Sequence, residues 1–447
     1  MQGDFSRLTF DADHPYSRVL MQQGRVLLDS DWNELVETQL HYLRKLAVDV
    51  GGEHWTPFQK QLAGGAAGVA DSEAFKIGAL KDNDFPIGKG SYYVQGLRGV
   101  AGENLSYKNQ PDFPLMEAEK KTPFPPSAGE PNLLVYLDVW ERHLTHLERE
   151  SLREVALGGP DTTTRTQIVW QVKALSIAGN PGQEFRVIYQ RFIDFLKGKN
   201  LFEKSTATLQ ARAGEPPATN ADACLAAPDA RYRGAENQLY RVEIHQVDAN
   251  GKATYKWSRE NGSVVFPIKT ISGNTVTLEH LGRDERFSLK RNDWVEIVND
   301  DYVLRNNHEH LLKVENVNPE ENRIKLAGDP VLSFGEDKPE ELSKHPLVRR
   351  WDSPDKLNVE TPATGEGWLN LEDGIQIKFD LTSKNLRAGD YWLIPARAAI
   401  GDILWPKNAD GTAKPLEPFG VTHHYAPLAL IVNGSPTDLR RVLKQPW

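Results

Sequence analysis

Three groups of side chains in this chain have types and spacings that could do chemistry. Glu260, in the phrase Trp257-Ser-Arg-Glu-Asn261, and the carboxylates Asp138 and Glu141 could supply an acid and base pair of the glycosidase kind, which needs two carboxyl groups at a set separation. Sequence fixes no such separation, and a Glu beside an Arg is more often a structural ion pair. His308-Glu-His310 puts two imidazoles on one face of an extended chain, able to bind a divalent metal together with Asp300 or Asp301. A third ligand is not indicated, and a solvated loop after Asn306-Asn307 is the blander account. His423-His424 precedes a strand, where one histidine is expected to be buried and to donate to backbone. Trp55, Trp351 and Trp405, near Pro and Gly, are candidates for stacking on sugars or filling partner pockets, or else plugs over domain ends. No Gly-x-Ser-x-Gly elbow, phosphate-binding Gly-rich loop or dinucleotide fingerprint occurs. The expectation is therefore a chain that is not an enzyme, with no catalytic residue, no cofactor and no resident metal.

The elements that carry these residues read mainly as strands. Stretches 108–131, 203–230 and 335–367 mix Pro, Gly, Ala and charges without periodicity, as linkers or long loops do. They leave four parts. Residues 1–107 hold an opening motif, a helix and a β segment around Tyr92 and Val94. Residues 132–202 begin with the apolar run 133–140, which suits a strand covered on both faces and pairing with 168–174, and close with a short helix over 185–196. Residues 231–334 carry short strands at 240–244, 264–266, 275–278, 294–298, 311–314 and 323–326, the spacing of a small antiparallel barrel or sandwich. Residues 368–447 form a C-terminal β domain with strict alternation over 374–379 and a buried strand over 426–432. Two phrases echo each other, Arg291-Asn-Asp-Trp-Val-Glu-Ile297 and Ala388-Gly-Asp-Tyr-Trp-Leu-Ile394, each a turn leading an aromatic into a strand. The predicted fold class is β-rich α+β: several small antiparallel β-barrel or sandwich domains with an N-terminal amphipathic helix.

That helix follows the densest motif in the chain, MQQGRVLLDSDWNE over residues 21–34. Gln23-Gly24 reads as a turn and residues 25–29 as a short strand. Asp31 and Glu34 have capping-box spacing, and Val36, Leu40, Leu43, Ala47 and Val50 then draw one apolar stripe until Gly51-Gly52 ends the helix. A stripe of this width must be buried against a sheet or another subunit. Gln23, Gly24, Arg25, Asp29, Asp31, Trp32 and Asn33 are expected to form a structural or interfacial corner, with Arg25 pairing Asp29 or Asp31 and Trp32 anchoring the helix start against the barrel.

With this motif on the page, the chain resembles a family of bacterial proteins that opens with DFSR...MQQGRV.LD.DWNE and occurs among phage tail and phage-tail-like contractile injection system genes. The resemblance extends to Tyr136-Leu-Asp-Val-Trp-Glu-Arg142, Ala156-Leu-Gly-Gly-Pro-Asp161, Arg231-Tyr-Arg-Gly-Ala-Glu-Asn-Gln-Leu-Tyr-Arg241, Lys256-Trp-Ser-Arg-Glu-Asn-Gly-Ser-Val-Val265, Asp390-Tyr-Trp-Leu-Ile-Pro-Ala-Arg397 and His423-His-Tyr-Ala-Pro-Leu428. It implies a setting rather than a mechanism, and no catalytic residue is carried over. The expected role is a structural or adaptor component at the baseplate or fibre level, homo-oligomeric and bound to other particle proteins. The alternative is a module that binds or cleaves surface glycans of a cell envelope.

Composition bounds the rest. At 447 residues the chain exceeds one ordinary core, and 11 Trp with 13 Tyr favour β structure. A net charge of -9 without a basic run argues against nucleic acid as partner. The single cysteine, Cys224, rules out an intrachain disulfide. No apolar stretch approaches the length of a membrane span and no secretory signal is evident, so the expectation is synthesis in the bacterial cytoplasm without membrane insertion, with release in a particle or by lysis as the route for any copies that reach the outside.

Overall fold

The computed structural model describes residues 1–57, 73–115, 119, 132–177, 185–198, 205–214, 231–248, 252–282, 284–335, 338–353, 367–381 and 385–443. Its longest strands form one hairpin: Asn132–Leu144 pairs antiparallel with Arg165–Ile177 over its full length, from Asn132 opposite Ile177 to Leu144 opposite Arg165. The other edge of Asn132–Leu144 takes His424–Val432, which pairs in turn with Ser435–Asp438. The apolar run is buried on both faces because alternate residues feed different cores. Leu133, Val135, Leu137 and Val139 pack with Phe75, Phe85 and Tyr92, whereas Leu134 and Tyr136 pack with Ile188, Phe192 and Leu196 of the helix Phe185–Gly198.

A β-sandwich stands next to this layer. One sheet holds Ala253–Ser258, Gln238–Val247, Tyr391–Arg397 and Asp402–Ile403, the other Leu369–Asn370, Ile375–Asp380 and Thr208–Ala213. Tyr240, Val242 and Ile244 face Leu209, Ile377 and Phe379 across the core. A closed six-stranded antiparallel barrel follows, in the order Val265–Ser272, Thr275–Leu278, Arg323–Leu326, Leu312–Asn318, Trp294–Val298 and Leu347–Trp351, filled by Phe266, Ile268, Val276, Val295 and Val348 among others. The chain is β-rich α+β with several small antiparallel sheets, as its sequence predicts.

The four parts drawn from sequence are not closed units. Strand His424–Val432 completes the sheet begun at Asn132, and two stretches read as linkers contain strands: Thr208–Ala213 within 203–230 and Leu347–Trp351 within 335–367. Pairing over long sequence separations leaves no local mark, so Pro and Gly around these short strands masked them. The echoing phrases do fold alike. Lys290 N and Arg387 N donate to the carboxylates of Asp293 and Asp390 at 2.8 and 2.9 Å, and Asn292 and Gly389, at φ 76 and 87, turn the chain into the next strand.

Candidate functional site

The opening motif departs from its sequence reading in an informative way. Gln23-Gly24 does turn, with Gly24 at φ 71, but residues 25–28 form no strand, since among the described residues no strand pairs with them. The helix α1, Asp29–Gly51, starts three residues earlier than the capping-box spacing indicates. Its N-cap is Leu28 without a side-chain cap, so Asp31 lies inside the first turn, while Asp29 accepts a hydrogen bond from Ser6 N at 2.9 Å. Arg25 pairs with neither Asp29 nor Asp31 among the described residues, and Trp32, expected to anchor against the barrel, faces outward at 58% exposure. Gln23 is exposed, Asn33 and Leu40 half-buried.

The helix departs from an ordinary surface helix, which turns apolar residues in and polar residues out: its fully buried side chains are polar and several of its large apolar ones are exposed, while Leu35, Leu40, Ala47 and Val48 are half-buried. Leu43, Leu46 and Val50 are 61%, 58% and 66% exposed, and Val36 is exposed beside them, whereas Ser30 and Thr38 are buried. On the inward side Arg44 Nη2 meets Glu141 Oε1 at 2.6 Å, the Glu37 carboxyl is pushed up by burial and by Glu141, and His41 packs on Phe10 with ring centroids 5.7 Å apart. The preceding segment adds Leu20, Met21, Val26, Leu27 and Leu28 to the exposed apolar surface. It is tied to the helix by Gln39 Nε2 donating to Ser17 O at 3.1 Å.

What fixes α1 is the start of the chain. Residues 1–9 run along the junction of sandwich and barrel: Arg241 Nη1 and Asn261 Nδ2 donate to Met1 O, Asn261 Nδ2 donates to Gly3 O, and Arg397 Nη2 donates to Ser6 O at 2.8 Å. Thr9 Oγ1 then reaches Ser30 O.

The same junction holds a buried polar seam that sequence reasoning missed. Along Gln238–Val247 the residues alternating with the sandwich core are Arg241, Glu243 and His245, all buried, and Lys256 lies on the next strand. Lys256 Nζ donates to Glu296 Oε2 of the barrel at 2.6 Å and sits 3.2 Å from Glu243 Oε1; Trp351 Nε1 donates to the same Glu296 oxygen at 3.0 Å. Burial alone would raise both carboxyls, but Arg241 and Lys256 hold Glu243 down at about 2, and Lys256 with His308 holds Glu296 lower still. Burial, then Lys256, pushes His245 down to about 4, keeping it neutral. Alternating charges on a strand read as a solvated face; only the closure of a second β unit over them buries them.

The carboxylates weighed as an acid and base pair, Asp138, Glu141 and Glu260, are each held in separate contacts. Burial would raise Asp138, yet His423 Nδ1 at 2.8 Å and Lys173 Nζ at 2.7 Å lower it, and Glu141 is taken by Arg44. His423 thus meets a carboxylate rather than backbone, and stacks near Trp140 with centroids 4.6 Å apart; burial lowers His424. Glu260 differs. It is buried with neither oxygen hydrogen-bonded, 3.6 Å from Arg286 Nη2 and 3.8 Å from Arg350 Nη2, and burial followed by Asp352 pushes it up to about 7. Arg286 and Arg259 border an open cavity of about 310 Å³, also lined by Tyr240 and Glu372, in which Arg259 makes a two-pronged contact with Glu372 at 2.8 and 2.7 Å.

The proposed metal set is dispersed. His308 points towards Glu296, 3.7 Å away, and His310 is exposed. Asp300 pairs with Arg142 and His345, and Asp301 with Lys344 at 3.0 Å, so both carboxylates are occupied elsewhere. Among the described residues no group of three or more His, Cys, Asp or Glu is arranged to hold a metal. Trp351 and Trp405 are core residues, and Trp55 stacks on Tyr93 at 4.2 Å while donating to Ala47 O, so these three serve as plugs. No helix among the described residues is long and apolar enough to cross a membrane.

No curated protein and no solved structure matches the chain. A family model does, over residues 1–192 and 196–436, taking in α1, the sandwich and the barrel alike, and the chain therefore belongs to the family of unknown function DUF6519.

Proposed function

We propose that the chain is a non-enzymatic structural or adaptor component of a phage-tail-like contractile injection particle, at the baseplate or fibre level, and that it joins the particle through the outward face of α1. The observation that carries this reading is the outward apolar face of that helix: Arg44 bonds to Glu141 and Ser30 and Thr38 are buried, while Trp32, Leu43, Leu46 and Val50 are left to water. An apolar surface of this extent on a folded protein marks a contact site. The particle setting follows from the resemblance of the opening motif and its companion blocks. The protein is made in the cytoplasm and leaves the cell with the particle.

The test is to purify particles from the native host with the chain either unchanged or carrying Leu43→Glu and Leu46→Glu. The unchanged chain should co-purify, and the variant should stay behind although folded by circular dichroism. Particles that never contain the unchanged chain would sink the reading.

A second reading, binding or cleavage of cell-envelope glycans, draws support from the polar cavity beside Glu260, where Arg259, Arg286 and Glu372 offer donors and acceptors together. It loses the support of Trp351 and Trp405, which are buried. A glycan array without signal, together with intact peptidoglycan after incubation, would count against it.

A further inference from the structure

We infer that the outward face of α1 is covered by the same face of further copies of this chain, packed as a parallel, in-register helical bundle; this rests on reading the face as an assembly surface. Trp32, Val36, Gln39, Leu43, Leu46 and Val50 are all exposed and follow at intervals of 4, 3, 4, 3 and 4 residues. That is the a and d spacing of a coiled-coil seam, with Val36, Leu43 and Val50 at a and Trp32, Gln39 and Leu46 at d. The seam spans about 27 Å at 1.5 Å per residue, long enough for several interlocking layers.

Area supports a lasting contact. From their fractional exposures, the apolar seam residues with Tyr42 and the flanking Leu20, Met21, Val26, Leu27 and Leu28 offer on the order of 1,000 Å² of surface, against roughly 800 Å² per partner in stable interfaces and roughly 300–600 Å² for the largest patch on a typical monomer.

Two features favour a copy over a foreign helix. The positions flanking the seam are Asn33, Leu35, Leu40, Tyr42, Ala47 and Asp49, so a single charge stands where pairs of unlike helices usually select each other by charge. The seam also contains one polar residue, Gln39. Its Nε2 donates one hydrogen to Ser17 O, and among the described residues its second hydrogen and its oxygen remain to be matched. In a parallel, in-register bundle Gln39 meets Gln39, amide to amide, and every other layer stays apolar.

The experiment is light scattering on the full-length protein across a dilution series, alongside the Leu43→Glu, Leu46→Glu variant and a Val50→Cys variant in which Cys224 is changed to Ser. The expected result is a discrete multiple of the chain mass for the unchanged protein, the monomer mass for the double variant with an unchanged circular dichroism spectrum, and an interchain disulfide at position 50 on mild oxidation. A monomer at every concentration overturns the inference, as does an oligomer that survives the double substitution. Position 50 crosslinking only to Trp32→Cys in a mixed sample overturns the parallel register. A monomer that still enters particles would remove the self-pairing and leave the particle reading standing; an oligomer absent from particles would do the reverse.

Discussion

Arg44 Nη2 lies 2.6 Å from Glu141 Oε1, joining the inward side of α1 to the longest hairpin of the fold. Both side chains are about a third exposed, so the pair contributes less than about 1 kcal/mol. Arg44→Ala and Glu141→Ala should each cost that little in urea unfolding, and the double variant no more than either single one. A larger cost in the double variant would mean the two act independently.

Gly96 constrains the same helix more severely. It sits at φ 80, and a Cβ there would come 2.6 Å from the carbonyl oxygen of Arg44. Gly96→Ala should therefore destabilise by about 1–3 kcal/mol, through unfavourable backbone and overpacking together. Hydrogen exchange should show α1 amides losing protection before those of Asn132–Leu144; equal loss everywhere would contradict a local clash.

Lys256 is the staple between sandwich and barrel, buried between Glu243 and Glu296. Lys256→Met leaves two buried carboxylates without their shared cation and should cost about 3–5 kcal/mol in chemical denaturation. Because Glu243 and Glu296 are both depressed in the folded state, their stabilising effect is present above pH 4.5 and is lost as pH falls towards 2. The variant should lose part of this acid dependence. A variant as stable as the parent, with the same acid transition, would refute the staple.

Glu260 works in the opposite sense. Its folded value near 7 lies above its unfolded value of 4.5, so the folded state binds the extra proton and stability from this group declines as pH rises between the two. Glu260→Gln should flatten the stability profile from pH 4.5 to 7 and gain up to about 3 kcal/mol at pH 8, a ceiling set by 1.36 kcal/mol per pH unit. An unchanged slope would mean that Glu260 is ionised in the folded protein throughout.

The turns at Asn292 and Gly389 permit a paired comparison. Both occupy left-handed backbone, and a Cβ at Gly389 would meet nothing nearer than His308 Nε2 at 3.8 Å, so Gly389→Ala carries conformational strain alone, about 1 kcal/mol. Asn292→Gly should change thermal stability little. Equal losses at the two positions would show that the side-chain amide of Asn292, not its backbone, matters.

Local pattern made much of this architecture legible. The two-faced apolar run at 133–140, the helix after 185 and the barrel strands at 275–278, 294–298 and 323–326 could be read directly, because burial there follows strand or helix periodicity. Thr208–Ala213 and Leu347–Trp351 could not, since each is defined by a partner far along the chain. The apolar stripe of α1 was visible too, but not its direction: periodicity says that Leu43 and Val50 share a side, and only Arg44 on Glu141 and the burial of Thr38 say that this side faces away from the body. Glu260 stood out by its neighbours; what distinguishes it, two unbonded oxygens among three arginines, needed the barrel to close over it.

The threading of residues 1–9 bears on when α1 takes its final orientation. Their backbone is held by Arg241, Asn261 and Arg397, so residues 1–9 find their full seat only after nearly four hundred further residues have been made. Until the strand Tyr391–Arg397 is in place, α1 has its inward contacts but no fixed entry from the N-terminal side. A chain cut short before Arg397 would therefore hold α1 by its inward contacts alone, without the tie at Ser6 that sets the direction in which the chain enters the helix.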